Sequence, residues 1–139
     1  MSETLTFSQT YFYDTLKDGI TVIVLLSHGG EIVEVRAKID TGASFCVFRR
    51  EHGVNLGLDI ESGYPQRFGT ATGSFLAYGH EITLSVLGIA TVSTVYFAAE
   101  EAFTRDVLGQ IGWLNRVRLG LVDYEGKLYL SPNDGEDTL

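Results

Sequence analysis

A small, mostly β fold is what this sequence predicts, and three observations carry the prediction. Glycine outnumbers proline 16 to 2, so tight turns are plentiful and strand-breaking rings are few. Runs rich in Val, Ile, Thr, Tyr and Phe recur between those turns, as short half-buried strands require. Residues 81–86 and 90–97 alternate polar and apolar side chains, the period of a strand with one face in a core. A chain of 139 residues with 45% hydrophobic content suits one domain over 1–139, with its core at about 16–131.

Taken in order, residues 1–15 mix polar and aromatic side chains without a period and read as an arm that packs on the body or on a partner. Residues 20–26 are a β-rich run ending in the turn cluster Ser27, His28, Gly29 and Gly30. Residues 31–39 follow with partial alternation, so the two runs pair as a hairpin. The polar triplet Asp40, Thr41 and Gly42 then interrupts the apolar pattern, which resumes at 43–48. Residues 49–58 are expected to form a loop with one helical turn, because Gly53 and Gly57 oppose a longer helix.

Residues 66–68 and 74–78 flank Gly69, Thr70, Ala71, Thr72 and Gly73, a small-residue tip between strands, which predicts a protruding hairpin. The strands at 81–86 and 90–97 turn at Gly88. Residues 106–116 place Val107, Ile111, Trp113 and Leu114 near helical spacing behind Asp106, so a short helix is expected there. Residues 119–124 and 127–131 turn about Glu125 and Gly126 and close the chain with another hairpin. The acidic stretch 133–139 reads as a frayed end.

Charge removes one class of function. Eighteen acidic against ten basic residues give a net charge of -8, which repels a phosphate backbone, and the pairs Arg49/Arg50 and Arg116/Arg118 are too small to override it. No nucleic-acid partner is expected. The longest apolar run, 20–26, is too short to cross a bilayer, so no membrane partner is expected either. Cys46 is alone, which precludes an intrachain disulfide, and no secretory leader pattern is seen; both suit a cytoplasmic protein. Cys46 reads as a small buried hydrophobe. His28, His52 and His80 are dispersed, so neither a metal nor another cofactor is expected.

The segment with most chemical content is Asp40-Thr41-Gly42-Ala43-Ser44. A carboxylate in a tight glycine turn between apolar strands is costly to bury without a purpose. Asp and Gly are also ordinary turn formers, so the triplet by itself favours a plain turn. Order and spacing decide between them: strand, Asp-Thr-Gly-Ala-Ser, apolar strand, small-tipped hairpin, then Val107-Leu108-Gly109-Gln110-Ile111-Gly112. Over roughly residues 20–131 this order resembles the retropepsin-like aspartic peptidases.

The resemblance implies a small closed, barrel-like acid-protease domain with a flap hairpin. It implies that Asp40 is the catalytic aspartate, that Thr41 locks two active-site loops together across a dimer, and that Gly42 permits close backbone approach. Ala43 and Ser44, with Ala71, Thr72 and Gly73 at the flap tip, would contact an extended peptide or protein substrate. Chemistry asks for two carboxylates that share one proton, and this chain carries a single such turn, so the active unit is expected to be a homodimer. The implied activity is that of an aspartic endopeptidase. The alternative is a peptide-binding or dimerisation module that keeps the fold without turnover. Retroviral members commonly place an Asp and an Arg, ion-paired, where Ser44 and Gln110 stand in this sequence.

Overall fold

The computed structural model describes residues 1–133; the acidic stretch from 134 onward lies outside the described residues. Ten strands run in the order β1 (Gln9–Phe12), β2 (Thr21–His28), β3 (Glu31–Ile39), β4 (Val47–Phe48), β5 (Tyr64–Thr70), β6 (Gly73–Val86), β7 (Ile89–Ala98), β8 (Val107–Leu108), β9 (Val117–Val122) and β10 (Lys127–Pro132). Among the described residues there is a single α-helix, α1 (Arg50–Asn55), between β4 and β5.

Seven strands lie side by side as β2-β3-β8-β4-β7-β6-β5, and a further pairing of β2 with β6 closes them into a ring. Alternation supplies the interior. Val22, Val24 and Leu26 of β2, Val35 and Ala37 of β3, and Ile82, Leu84 and Val86 of β6 point inward, each within 3% of complete burial. Phe48, Phe97 and Trp113 fill the centre. Burying a side chain of that size stabilises by roughly 1.5–3 kcal/mol, which is why the inward register is strongly held.

Turn chemistry sets two of the registers. His28 pairs with Glu31 across Gly29 and Gly30, whose φ values of 57° and 87° suit a two-residue hairpin turn. Val86 pairs with Ile89 across Leu87 and Gly88 in the same way, although Leu87 takes φ 51° without a glycine's freedom. Leu87 is half-buried against the core, and that packing offsets the strain.

A smaller sheet, β1-β10-β9, completes the fold. The expected arm is thus partly a strand: Gln9 to Phe12 pair with Leu130 to Lys127, and the Tyr13 hydroxyl donates to Asp123 at 2.5 Å. Leu128 and Leu130 of β10 are fully buried in the same core cluster as the ring strands.

Two local expectations are corrected. The helix expected over 106–116 is not formed; Val107 and Leu108 make β8, inserted parallel to β3 and antiparallel to β4, and only 114–116 form a short 3-10 turn. Both β8 side chains are buried, and Gly112 adopts φ 104°, so strand pairing on both sides overrides a helical spacing that Gly109 and Gly112 weakened. The α-helix lies at 50–55 instead, where one turn was expected. Gly53 belongs to that helix because its missing side chain admits Ile60 and Phe97: a Cβ there would lie 2.4 Å from the Ile60 Cδ1.

The protruding hairpin is present. The first four residues of β6, 73–76, pair with β5 alone, beyond the part of β6 that β7 covers, so the β5–β6 end projects from the ring. No helix among the described residues is long and apolar enough to cross a membrane.

Candidate active site

Asp40 stands where β3 ends. The parallel pairing of β3 with β8 continues one step past the strand, with the Asp40 amide donating to the Leu108 carbonyl at 2.9 Å. The chain then turns at once: the Gly42 amide donates to Asp40 Oδ1 at 2.9 Å and the Ala43 amide to the Asp40 carbonyl at 3.1 Å. Asp40 is half-buried, and among the described residues its Oδ2 accepts no hydrogen bond. One carboxylate oxygen is thus held by the backbone, and the other meets no donor among the described residues. A Cβ on Gly42 would sit 3.3 Å from Oδ1, so glycine leaves the carboxylate room.

The return path of the chain fixes this loop from below. The Gln110 amide donates to the Ala43 carbonyl and the Ile111 amide to the Ser44 carbonyl, both at 2.8 Å. The Gln110 side chain reaches farther, donating from Nε2 to the Thr41 carbonyl at 2.7 Å. The neutral amide steadies the loop without setting a charge beside Ser44, which could not neutralise one. Gly109 makes the approach possible: a Cβ at this position would lie 2.2 Å from the Phe45 carbonyl oxygen and 2.8 Å from that of Ala43.

Cys46 lies directly behind the loop, fully buried, with its Sγ accepting the Gly109 amide at 3.4 Å. Burial pushes its pKa up to about 11, only partly countered by that amide, so the thiol stays protonated and inert at neutral pH. Native protein is therefore expected to leave a thiol reagent unconsumed and to release one equivalent of reactivity on unfolding in denaturant. Rapid labelling of the folded chain would contradict this burial.

A second polar cluster braces the segment entering β8. Asp106, with its side chain 7% exposed, accepts the Arg49 amide at 2.9 Å, Arg49 Nε at 3.1 Å and His52 Nε2 at 3.3 Å. Burial alone would raise its pKa, but the bonds from His52 and the Arg49 amide, with the electrostatic pull of the two residues, outweigh it and hold the carboxyl below the ordinary range. A depressed folded value means the stabilisation is present above the unfolded value and lost as pH falls through the folded one. Asp106→Asn is expected to cost about 1–3 kcal/mol near neutral pH. The variant should also lose less stability than wild type on acidification below about pH 4. Thermal melts of both proteins across that range check the slope, and parallel slopes would remove Asp106 as its source.

A cleft of about 580 Å³ opens over Asp40, between its loop and the β5–β6 hairpin. Its apolar wall is an aromatic cluster. Phe68 and Phe75, paired across the hairpin, stack with centroids 5.2 Å apart; Phe45 meets Phe68 edge-on at 5.6 Å, and Phe103 packs on Phe75 at 4.7 Å. Such pairs add to area burial and hold the hairpin down on the ring.

Of the residues singled out in the sequence, Asp40, Gly42, Ala43, Ser44 and Ala71 line this cleft. Thr41 is exposed beside it and contributes its carbonyl to the Gln110 bond. Thr72 and Gly73 sit on the exposed hairpin turn, outside the cleft wall. The wall also includes Gly69 and Thr70 of the expected hairpin tip, and Arg67, Arg105 and four phenylalanines, which the sequence reading did not select. The facing of Phe68 and Phe75 about the turn was a usable signal; Phe103 and Arg105 lie in a loop with no period to reveal them.

The chain thus brings a carboxylate in a glycine turn, bonded to the buried Leu108-Gly109 segment, to a cleft under a hairpin. The family model described as aspartyl protease matches residues 24–120, and the chain belongs to that family. Among solved structures it is similar to EIAV protease complexed with the inhibitor HBY-793, at 20% identity and a TM-score of 0.54, over 68% of this chain and 85% of that one. The fold is therefore that of a retroviral-type, retropepsin-like protease. No curated protein is significantly similar to it in sequence.

Proposed function

We propose that this chain is an aspartic endopeptidase that works as a homodimer, cutting extended peptides between two Asp40 carboxylates. The observation that carries the reading is the Asp40 loop itself. It presents one carboxylate, with a free oxygen, at the mouth of a cleft large enough for peptide side chains. Membership of the aspartyl protease family supports it.

One carboxylate cannot act alone, because the reaction needs a base and an acid at once. Two carboxyls placed together share a single proton, since both cannot ionise easily side by side. The ionised one takes a proton from water while the water oxygen attacks the scissile carbonyl carbon, and the protonated one gives its proton to the carbonyl oxygen. Collapse of the resulting gem-diol breaks the C–N bond as the amine leaves with a proton from the dyad. The second Asp40 would come from another copy, and the surface around the first suits this: Thr41, Gly42 and Gln110 are exposed, and Ile111 is 50% exposed beside them.

The β5–β6 hairpin would act as the flap. Its backbone can bond an extended peptide as an added strand, and closure would exclude water from the dyad. Ala71, at the turn and on the cleft wall, would touch the substrate first, with Ala43 and Ser44 also on that wall. The test is cleavage of a diverse peptide library, read by mass spectrometry, at protein concentrations high enough to populate a dimer. Site-specific products support the reading. A dimer in solution that releases no products would turn it toward a non-catalytic peptide-binding module.

A further inference from the structure

We propose that Gln110 is a positioning residue for peptide cleavage, acting on the Asp40 carboxylate through the peptide unit that joins Thr41 to Gly42. It deepens the peptidase reading above and rests on it. That one peptide unit is bonded at both ends. Its carbonyl, on Thr41, accepts Gln110 Nε2 at 2.7 Å, and its N–H, on Gly42, donates to Asp40 Oδ1 at 2.9 Å.

The unit is trans, and a trans peptide is a stiff plane whose C=O and N–H point in opposite directions. Holding the carbonyl therefore aims the N–H. If the plane rotated about its flanking bonds, the N–H would swing off Oδ1 and the carboxylate would lose the contact that fixes its rotamer. The two bonds also act in series, since a donor on the carbonyl polarises the peptide and strengthens the bond that its N–H gives. A bond from an N–H to an ionised carboxylate is one of the stronger kinds, so it gains most from that polarisation.

Thr41, Gly42 and Gln110 are all exposed, and Gly42 has no side chain with which to pack the plane in place. Among the described residues, Gln110 is the only side chain from outside the loop that hydrogen-bonds to residues 40–44. Its own backbone is anchored on both sides. The Gln110 amide donates to the Ala43 carbonyl at 2.8 Å, and its carbonyl accepts the Asn115 amide at 2.9 Å. Asn115 is tied in turn, its Oδ1 accepting the Gly112 amide at 3.2 Å. A side chain rooted in so fixed a segment can hold the exposed plane from outside.

Two variants of the full chain separate the bond from the shape of the side chain. Gln110→Met keeps the length and removes the donor. Gln110→Glu keeps the shape and regains a donor only where its carboxyl is protonated, below about pH 4. Peptide cleavage is measured at protein concentrations where each protein sediments as a dimer. Gln110→Met is expected to lower kcat about tenfold with KM within about twofold, because the cleft still binds peptide while a misplaced carboxylate slows the chemistry. Gln110→Glu should match that loss at about pH 6 and come within about twofold of wild type at about pH 3.5, each compared with wild type at the same pH. Lost packing would not return on protonation. An unchanged kcat in Gln110→Met, or a Gln110→Glu deficit equal at both pH values, overturns the proposal. If wild type cleaves no peptide, the peptidase reading fails separately, and amide hydrogen exchange decides this coupling; the same measurement serves if a variant does not dimerise. Exchange at Gly42 faster by about tenfold in Gln110→Met, with β6 and β7 unchanged, upholds it, and an unchanged Gly42 rate overturns it.

Discussion

Asp40→Asn is expected to abolish peptide cleavage while leaving the fold in place. The amide oxygen of Asn can still accept the Gly42 N–H that Asp40 Oδ1 accepts at 2.9 Å, so the turn keeps its bond. What is lost is the group that takes and returns a proton, a loss of about a hundredfold to ten-thousandfold in rate for a positioned acid or base. Thermal melts should shift by no more than a few degrees, which separates a catalytic effect from a folding one.

The same variant tests whether two copies share one site. If active units are random pairs, mixing equal amounts of wild type and variant leaves about one quarter of the activity of the same total of wild type, since both partners must carry Asp40. Independent monomers would retain about one half. Full activity in the variant would refute the dyad, and a linear mixing curve would refute the shared site while leaving Asp40 catalytic.

The second large effect is expected at Gly109, far less conspicuous in the sequence. A methyl group there would overlap the Phe45 carbonyl oxygen at 2.2 Å and that of Ala43 at 2.8 Å, and backbone cannot swing aside as a flexible side chain can. Gly109→Ala must push apart β8 and the 40–45 loop, breaking the amide bonds from Gln110 and Ile111 that hold it. A cost of about 3 kcal/mol is expected, lowering the melting temperature by about 10 °C, with cleavage lost as well. Gly69→Ala is the control: a Cβ there meets nothing within 4 Å, so its stability should stay within about 0.5 kcal/mol of wild type. Equal melting temperatures for the two variants would show that the loop does not depend on this contact.

Much of this architecture was legible from side-chain period and turn residues. The alternation in 81–86 and 90–97 placed two strands of the ring, and Gly29 and Gly30 marked a turn, because both signals depend only on neighbours along the chain. The helix expected at 106–116 failed for the opposite reason. Val107 and Leu108 are strand because β3 and β4 lie on either side of them, partners more than fifty residues away in sequence. Gly53 looked like a helix breaker and proved to be a packing requirement set by Ile60 and Phe97.

The site divides along the same line. Asp40, Thr41 and Gly42 stood out in the sequence because a carboxylate in a glycine turn between apolar strands is chemically conspicuous within five residues. Arg67, Phe103 and Arg105 did not, because nothing local distinguishes a cleft-lining arginine from a solvated one. Only the folding of β5 over the loop before β8 brings them to the cleft that Asp40 occupies. The sequence by itself determined the β-rich class and the aspartate turn, since period and turn chemistry act between near neighbours. Tertiary structure alone decided what holds that turn and what surrounds it, because those contacts join residues that chain order keeps apart.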